Sequence, residues 1–111
     1  MKPISYDEIC TASKEQIVEF INRRQRQILV HSYLYEDRNT NIIEDSTWDL
    51  WAKQLASLMT RPEAKDSVYY KYFDGWTGDT ASDLQEAYRL PEIMDKGNSL
   101  LAIERRHHEI L

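Results

Sequence analysis

The chain has 111 residues and a formal net charge of -5 at pH 7. Hydrophobic residues make up 41% of it and charged residues 30%, a balance typical of a globular domain rather than a disordered chain. Direct nucleic-acid binding is not expected of an acidic chain whose basic clusters, at 23–26 and 105–106, are short. No stretch approaches the roughly 20 apolar residues of a membrane span, and the N-terminus lacks a signal-peptide pattern. We therefore expect a cytoplasmic protein without membrane contact.

The sequence contains only three glycines and three prolines, so few residues interrupt helix formation. Strict alternation of apolar and polar residues, which indicates strands, is hard to find. The predicted fold class is therefore mostly α. We expect a single domain over residues 1–111, with a helical hairpin at 13–60 and an aromatic-rich segment with C-terminal helices at 61–111.

The hairpin begins with a long helix whose start is marked by Ser13 and Gln16, which fit a capping box. Apolar residues then recur at helical spacing, and the helix is expected to end near Glu36. The polar run 23–27 interrupts the apolar face, which predicts that the middle of this helix lies at an exposed edge.

The polar segment 37–41 has the composition of a turn. A second helix follows, for which Asp45 or Ser46 is the predicted N-cap. Its apolar residues form one stripe, and it is expected to end at Arg61, because a residue before proline avoids helical geometry. The two helices together form the predicted hairpin.

Three further helical segments are predicted after the aromatic-rich region. The first is capped by Asp79 or Thr80. The second, which is a short turn or a helix, starts at Pro91 and stops at Lys96 and Gly97, since glycine commonly ends a helix. The last opens at Ser99.

Four residues beside the hairpin turn are predicted to converge on a ligand. Tyr35 lies near the end of the first helix, whereas Asp45, Trp48 and Asp49 lie near the first turn of the second helix and on roughly one face. Carboxylates accept hydrogen bonds from amide or hydroxyl donors, and aromatic faces accommodate cationic rings. This combination suits a flat polar ligand.

The segment HSYLYEDRNTNIIEDSTWDLWAKQL, residues 31–55, resembles the N-terminal helical-hairpin domain, called Ia, of NAD-dependent DNA ligases. In that family a tyrosine near the end of the first helix is followed ten residues later by an aspartate, then by an aromatic residue and a second aspartate. Tyr35, Asp45, Trp48 and Asp49 match this pattern. The resemblance implies that they bind the nicotinamide mononucleotide (NMN) half of NAD, with the aromatic residues on the nicotinamide and ribose and the aspartates on polar groups.

Two positions depart from the family pattern. Glu36 replaces the usual histidine after the first tyrosine and would repel phosphate, and Trp48 replaces a tyrosine and so lacks its hydroxyl. The family's catalytic Lys-x-Asp-Gly motif is also missing, since KYFDG at 71–75 has one residue too many. The resemblance therefore implies a non-catalytic protein that binds NMN or the corresponding part of NAD as a ligand and requires no cofactor.

A second hypothesis rests on the aromatic residues of segment 67–78, most of which are expected to pack in the core. If Tyr70 and Trp76 are exposed instead, they form a protein-binding patch. The alternative function, which Glu36 and the acidic balance also favour, is a phage-encoded interaction module that keeps the hairpin only as a scaffold. It would inhibit a host enzyme or a defence complex, as an anti-CRISPR-type protein does, in the bacterial cytoplasm. No metal site is expected, because the adjacent His107 and His108 would point apart on a helix.

Overall fold

The computed structural model describes residues 2–110, and the side chains of residues 2–106. The prediction of a mostly α fold is confirmed, and no strand occurs among these residues. None of their helices is both long and apolar enough to cross a lipid bilayer. The α-helices are α1 (Lys14–Arg38), α2 (Asp45–Leu58), α3 (Tyr70–Phe73), α4 (Gln85–Tyr88) and α5 (Pro91–Ile110), and 3₁₀ helices span Tyr6–Thr11, Pro62–Asp66 and Ser82–Leu84.

Helix α1 is the element around which the others pack. Ser13 caps it as predicted: the backbone N–H of Gln16 donates to the Ser13 hydroxyl at 3.2 Å, and the Ser13 N–H donates to Gln16 Oε1 at 3.0 Å. The helix ends two residues later than predicted, with Asn39 in the left-handed conformation at φ 49° as its C-cap. Its inward face supplies much of the hydrophobic core, including Phe20, Ile21, Ile28, Leu29 and Leu34.

The predicted exposed edge at 23–27 is wrong for Gln25, which has no accessible surface. Its Nε2 donates to Ser67 Oγ at 2.9 Å, and its Oε1 accepts from the backbone N–H of Tyr69 at 3.3 Å. Because both ends of the amide are hydrogen-bonded, its burial is tolerated. The side chain joins the middle of α1 to the aromatic-rich segment.

Helix α2 begins with Asp45 as its first residue, so neither predicted N-cap is correct; Glu44 occupies that position. The Asp45 carboxylate instead accepts a hydrogen bond from Asn41 Nδ2 at 2.9 Å. The C-cap is Met59, so the helix ends before the predicted stop at Arg61.

The predicted break at Gly97 is also wrong, because α5 runs through it without interruption. A Cβ atom added at Gly97 would lie 2.7 Å from Cδ2 of Tyr33. The glycine therefore allows α5 to approach α1 closely. The neighbouring Asn98 accepts a hydrogen bond from the Tyr33 hydroxyl through its Oδ1 at 3.1 Å.

The helix predicted to start at Asp79 or Thr80 is instead the 3₁₀ helix Ser82–Leu84 followed by α4. Its N-cap is Ala81, so neither predicted cap is correct. The side chain of Asp79 is used in an ion pair with Lys53. At the C-terminal end of α4, Arg89 forms a bidentate ion pair with Asp37 of α1. Its Nε donates to Oδ2 at 2.8 Å and its Nη2 donates to Oδ1 at 2.9 Å.

Candidate ligand-binding cleft

A cleft of about 350 Å³ lies beside the hairpin turn. Its walls come from the C-terminal part of α1, the start of α2, and the segment 79–81 that precedes α4. We call it the hairpin cleft. The residues that line it are His31, Ser32, Tyr35, Glu36, Asn41, Asp45, Trp48, Asp49, Asp79, Thr80 and Ala81.

All four residues predicted to converge line this cleft: Tyr35, Asp45, Trp48 and Asp49. Tyr35 is 57% exposed, and Trp48 is half-buried. Both aspartates are exposed. The short turn at 39–44 brings the end of α1 and the start of α2 together, so residues ten or more positions apart face the same space.

Trp48 is supported by a second tryptophan, Trp76. The ring of Trp76 meets Trp48 edge to face, with centroids 6.2 Å apart, and meets Phe73 in the same way at 5.2 Å. Its indole N–H donates to the carbonyl oxygen of Thr80 at 2.9 Å. Trp76 thus links the aromatic wall of the cleft to its rim.

The burial of Trp76 contradicts the predicted protein-binding patch of Tyr70 and Trp76. Trp76 is only 8% exposed, so it is a core residue and does not present its ring to a partner. Tyr70 is half-buried against the core. The predicted exposed pair of Tyr70 and Trp76 is therefore not formed.

The rim segment 79–81 is held against α2 by a close backbone contact. Gly78 has φ +80°, and a Cβ atom there would lie 2.8 Å from the carbonyl oxygen of Ala52. Just beyond it, Asp79 pairs with Lys53, and the hydrogen bond from this lysine lowers the pKa of Asp79. These contacts place a third wall opposite the hairpin.

The cleft is strongly acidic. Four carboxylates line it, from Glu36, Asp45, Asp49 and Asp79, and its described lining includes no lysine or arginine. Lys53 neutralises only one of the four. Such a surface attracts cations and hydrogen-bond donors and repels phosphate groups.

Two polar atoms beside the cleft lack hydrogen-bond partners among the described residues. Ser32 is 1% exposed and its hydroxyl is unpaired, as is Nδ1 of His31. Burial lowers the pKa of His31, so its ring is neutral near pH 7. Buried polar groups are normally paired, so both atoms are candidates to bind a ligand.

The hairpin motif alone did not indicate these residues. Ser32 and His31 precede Tyr35 by three and four positions, so helical spacing from Tyr35 was a usable signal. The segment 79–81 had no such signal, because its position depends on the distant contacts of Gly78 and Trp76.

Metal binding finds no support in the cleft. Despite its acidity, no group of three histidine, cysteine, aspartate or glutamate side chains within the described part of the chain is placed to hold a metal ion. The side chains of His107 and His108, considered above, lie outside the described residues.

Comparison with known proteins gives no further guide to the cleft. No protein-family model matches the chain, and no curated protein or solved structure matches it significantly. The resemblance of residues 31–55 to the ligase Ia domain stays a prediction.

Proposed function

We propose that the hairpin cleft binds the nicotinamide riboside portion of a nicotinamide nucleotide. The observation that supports this proposal is the convergence of Tyr35, Asp45, Trp48 and Asp49 on one cleft. The volume of about 350 Å³ lies within the roughly 300–1,000 Å³ typical of small-molecule sites.

The chemistry of the lining matches the chemistry of this ligand. Nicotinamide riboside carries a positive pyridinium ring, which the faces of Tyr35 and Trp48 can accommodate. Its ribose hydroxyls and carboxamide N–H groups are donors that Asp45 and Asp49 can accept. The unpaired hydroxyl of Ser32 can donate to the carboxamide oxygen.

The charge of the cleft favours the riboside over its phosphorylated forms. Glu36 and Asp79 add negative charge to that of the two aspartates, and no cationic side chain in the described lining offsets a phosphate. We therefore expect nicotinamide riboside to bind more tightly than NMN, by about tenfold.

In this proposal the protein binds the ligand without transforming it. A serine nucleophile requires a hydrogen bond to a base, but the Ser32 hydroxyl has no partner among the described residues. The protein would then act by sequestering the ligand or by presenting it to another protein.

A second candidate function is inhibition of a host protein that binds nucleic acid. The four carboxylates of the cleft favour it, because negative charge can occupy a site that normally receives phosphates. Under this function the acidic surface binds a basic partner and has no affinity for nicotinamide compounds.

Calorimetric titration with nicotinamide riboside, NMN and NAD tests the first proposal. We expect a Kd for the riboside of about micromolar order, weakened at least about tenfold in Asp49→Asn, because a hydrogen bond to a carboxylate is replaced by a weaker one to a neutral amide. The matched control is Asp7→Asn, which removes the same charge from the exposed 3₁₀ helix before α1 and should leave the affinity unchanged. Equal affinity in the two variants would contradict the site, and absence of binding would favour a protein partner.

A further inference from the structure

A second cavity lies between α1 and α5 and shares one lining residue, His31, with the hairpin cleft. Its volume is about 510 Å³, larger than that of the hairpin cleft. We call it the α1–α5 cavity. The residues that line it are Arg23, Arg26, Gln27, Val30, His31, Tyr69, Glu92, Ile93, Lys96 and Leu100.

The charge of this cavity is opposite to that of the protein. Three cations line it, Arg23, Arg26 and Lys96, against one carboxylate, Glu92, whereas the whole chain has a net charge of -5. Glu92 already accepts a hydrogen bond from the Tyr69 hydroxyl at 3.1 Å. The cavity therefore carries an excess of positive charge in a protein that is acidic as a whole.

The three cations differ in their availability. Arg23 is held in place, because it donates to the carbonyl oxygen of Ile4 at 2.8 Å and its guanidinium lies over the ring of Phe20. Arg26 and Lys96 are exposed, and neither has a salt bridge within the part of the chain that the structure describes. Both can turn toward an anion.

Much of the remaining lining is apolar, and two of its polar atoms, Nδ1 of His31 and Oε1 of Gln27, are unsatisfied among the described residues. Val30 and Ile93 are buried and Leu100 is half-buried. Gln27 Oε1 is buried without a hydrogen-bond partner among the described residues. A buried carbonyl oxygen left unpaired is costly, so a ligand that donates to it would be stabilised.

We propose that the α1–α5 cavity binds a small organic anion that has an apolar body and a phosphate or carboxylate group. Arg26 and Lys96 contact the anionic group, while Val30, Ile93 and Leu100 contact the apolar body. A small molecule is favoured over an acidic protein segment, because a volume of about 510 Å³ lies within the roughly 300–1,000 Å³ of small-molecule sites. This proposal does not rest on nicotinamide binding in the hairpin cleft.

Phenyl phosphate and phenylacetate are suitable probes, since each joins an anionic group to an apolar ring. Benzyl alcohol and inorganic phosphate each offer only one of these features. In titrations followed by two-dimensional amide NMR, we expect the two organic anions to bind at least about tenfold more tightly than either partial probe. The shifted amides should cluster around the cavity residues of α1 and α5.

Matched variants separate this site from general attraction to positive charge. Lys96→Gln and Arg26→Gln should each weaken phenyl phosphate binding by about tenfold, because a charge-assisted hydrogen bond is lost. Lys65→Gln, which removes an exposed charge from the 3₁₀ helix Pro62–Asp66, should leave it unchanged. His31 is left intact throughout, because it also lines the hairpin cleft.

Three results would overturn the proposal. The first is absence of saturable shifts with either organic anion up to about 10 mM. The second is an equal loss of affinity in Lys65→Gln and Lys96→Gln. The third is binding of an acidic peptide at these residues without binding of the small anions, which would make the cavity part of a protein interface.

Discussion

Replacing Gly97 with alanine tests whether this glycine is required for the contact between α5 and α1. In an exposed helix interior, alanine stabilises relative to glycine by about 1 kcal/mol. Here the added methyl group would lie 2.7 Å from Cδ2 and 3.1 Å from Cε2 of Tyr33. Both distances are too short for carbon atoms in contact, so the Tyr33 ring or the helix must move.

The size of the effect follows from what that movement disturbs. Forcing an extra methyl group into a packed core costs roughly 1–3 kcal/mol. Tyr33 is 5% exposed and hydrogen-bonded to Asn98, so a shift of its ring also weakens a bond worth about 1 kcal/mol. After subtracting the gain in helix propensity, we expect Gly97→Ala to lower the free energy of unfolding by about 2 kcal/mol.

Urea unfolding monitored by circular dichroism measures this quantity. The control is Ser99→Ala, an exposed position on the same helix, where alanine should be stabilising by a few tenths of a kcal/mol, roughly. In a Tyr33→Leu background the Gly97 substitution should cost at least about 1 kcal/mol less, since the ring that it meets is absent. A Gly97→Ala protein as stable as the wild type, or more stable, would refute the assigned role of the glycine.

Three further predictions concern the polar core, the cleft and an ion pair. Gln25→Ala should lower the free energy of unfolding by about 2–4 kcal/mol, because two buried partners lose their hydrogen bonds; a loss below about 1 kcal/mol would argue against that role. Trp76→Leu should weaken nicotinamide riboside binding severalfold without touching the ligand, because Trp48 loses its support, and unchanged affinity would contradict this. Arg89 lowers the pKa of Asp37, so the pair stabilises the fold above the unfolded carboxyl pKa of about 3.9. Asp37→Asn should therefore be slightly destabilising at pH 7, and the difference should vanish as the pH falls through the lower folded pKa; a difference that persists in acid would contradict it.

Local sequence signals predicted the hairpin well because its determinants are local. The Ser13 and Gln16 capping box lies within one helical turn and forms as expected. The convergence of Tyr35 with the first turns of α2 follows from one short turn and helical spacing. These features require no knowledge of the rest of the fold.

Local sequence predicts the wrong role for residues whose partners lie far away in the chain. Glycine commonly ends a helix, which predicts a break at Gly97, but the role of Gly97 is set by Tyr33, 64 positions earlier in the chain. The polarity of Gln25 predicts an exposed position, whereas its two hydrogen-bond partners lie more than 40 residues away and bury it. Neither partner can be identified from local sequence.

The same distinction explains which parts of the cleft were found. The hairpin supplies Tyr35, Asp45, Trp48 and Asp49 through local geometry. The rim at 79–81 is positioned by contacts that Gly78 and Trp76 make with α2. No local sequence pattern indicates these contacts. Local sequence therefore leaves open whether Trp76 is exposed, and the fold makes it a core residue.

Amide chemical-shift mapping with nicotinamide riboside tests the proposed site most directly. We expect saturable shifts concentrated at residues 31–36 and 45–49, together with the rim at 79–81, and their reduction in Asp49→Asn at the same ligand concentration. Absence of saturation, or shifts concentrated in the α1–α5 cavity instead, would contradict the assignment of the hairpin cleft as a nicotinamide site.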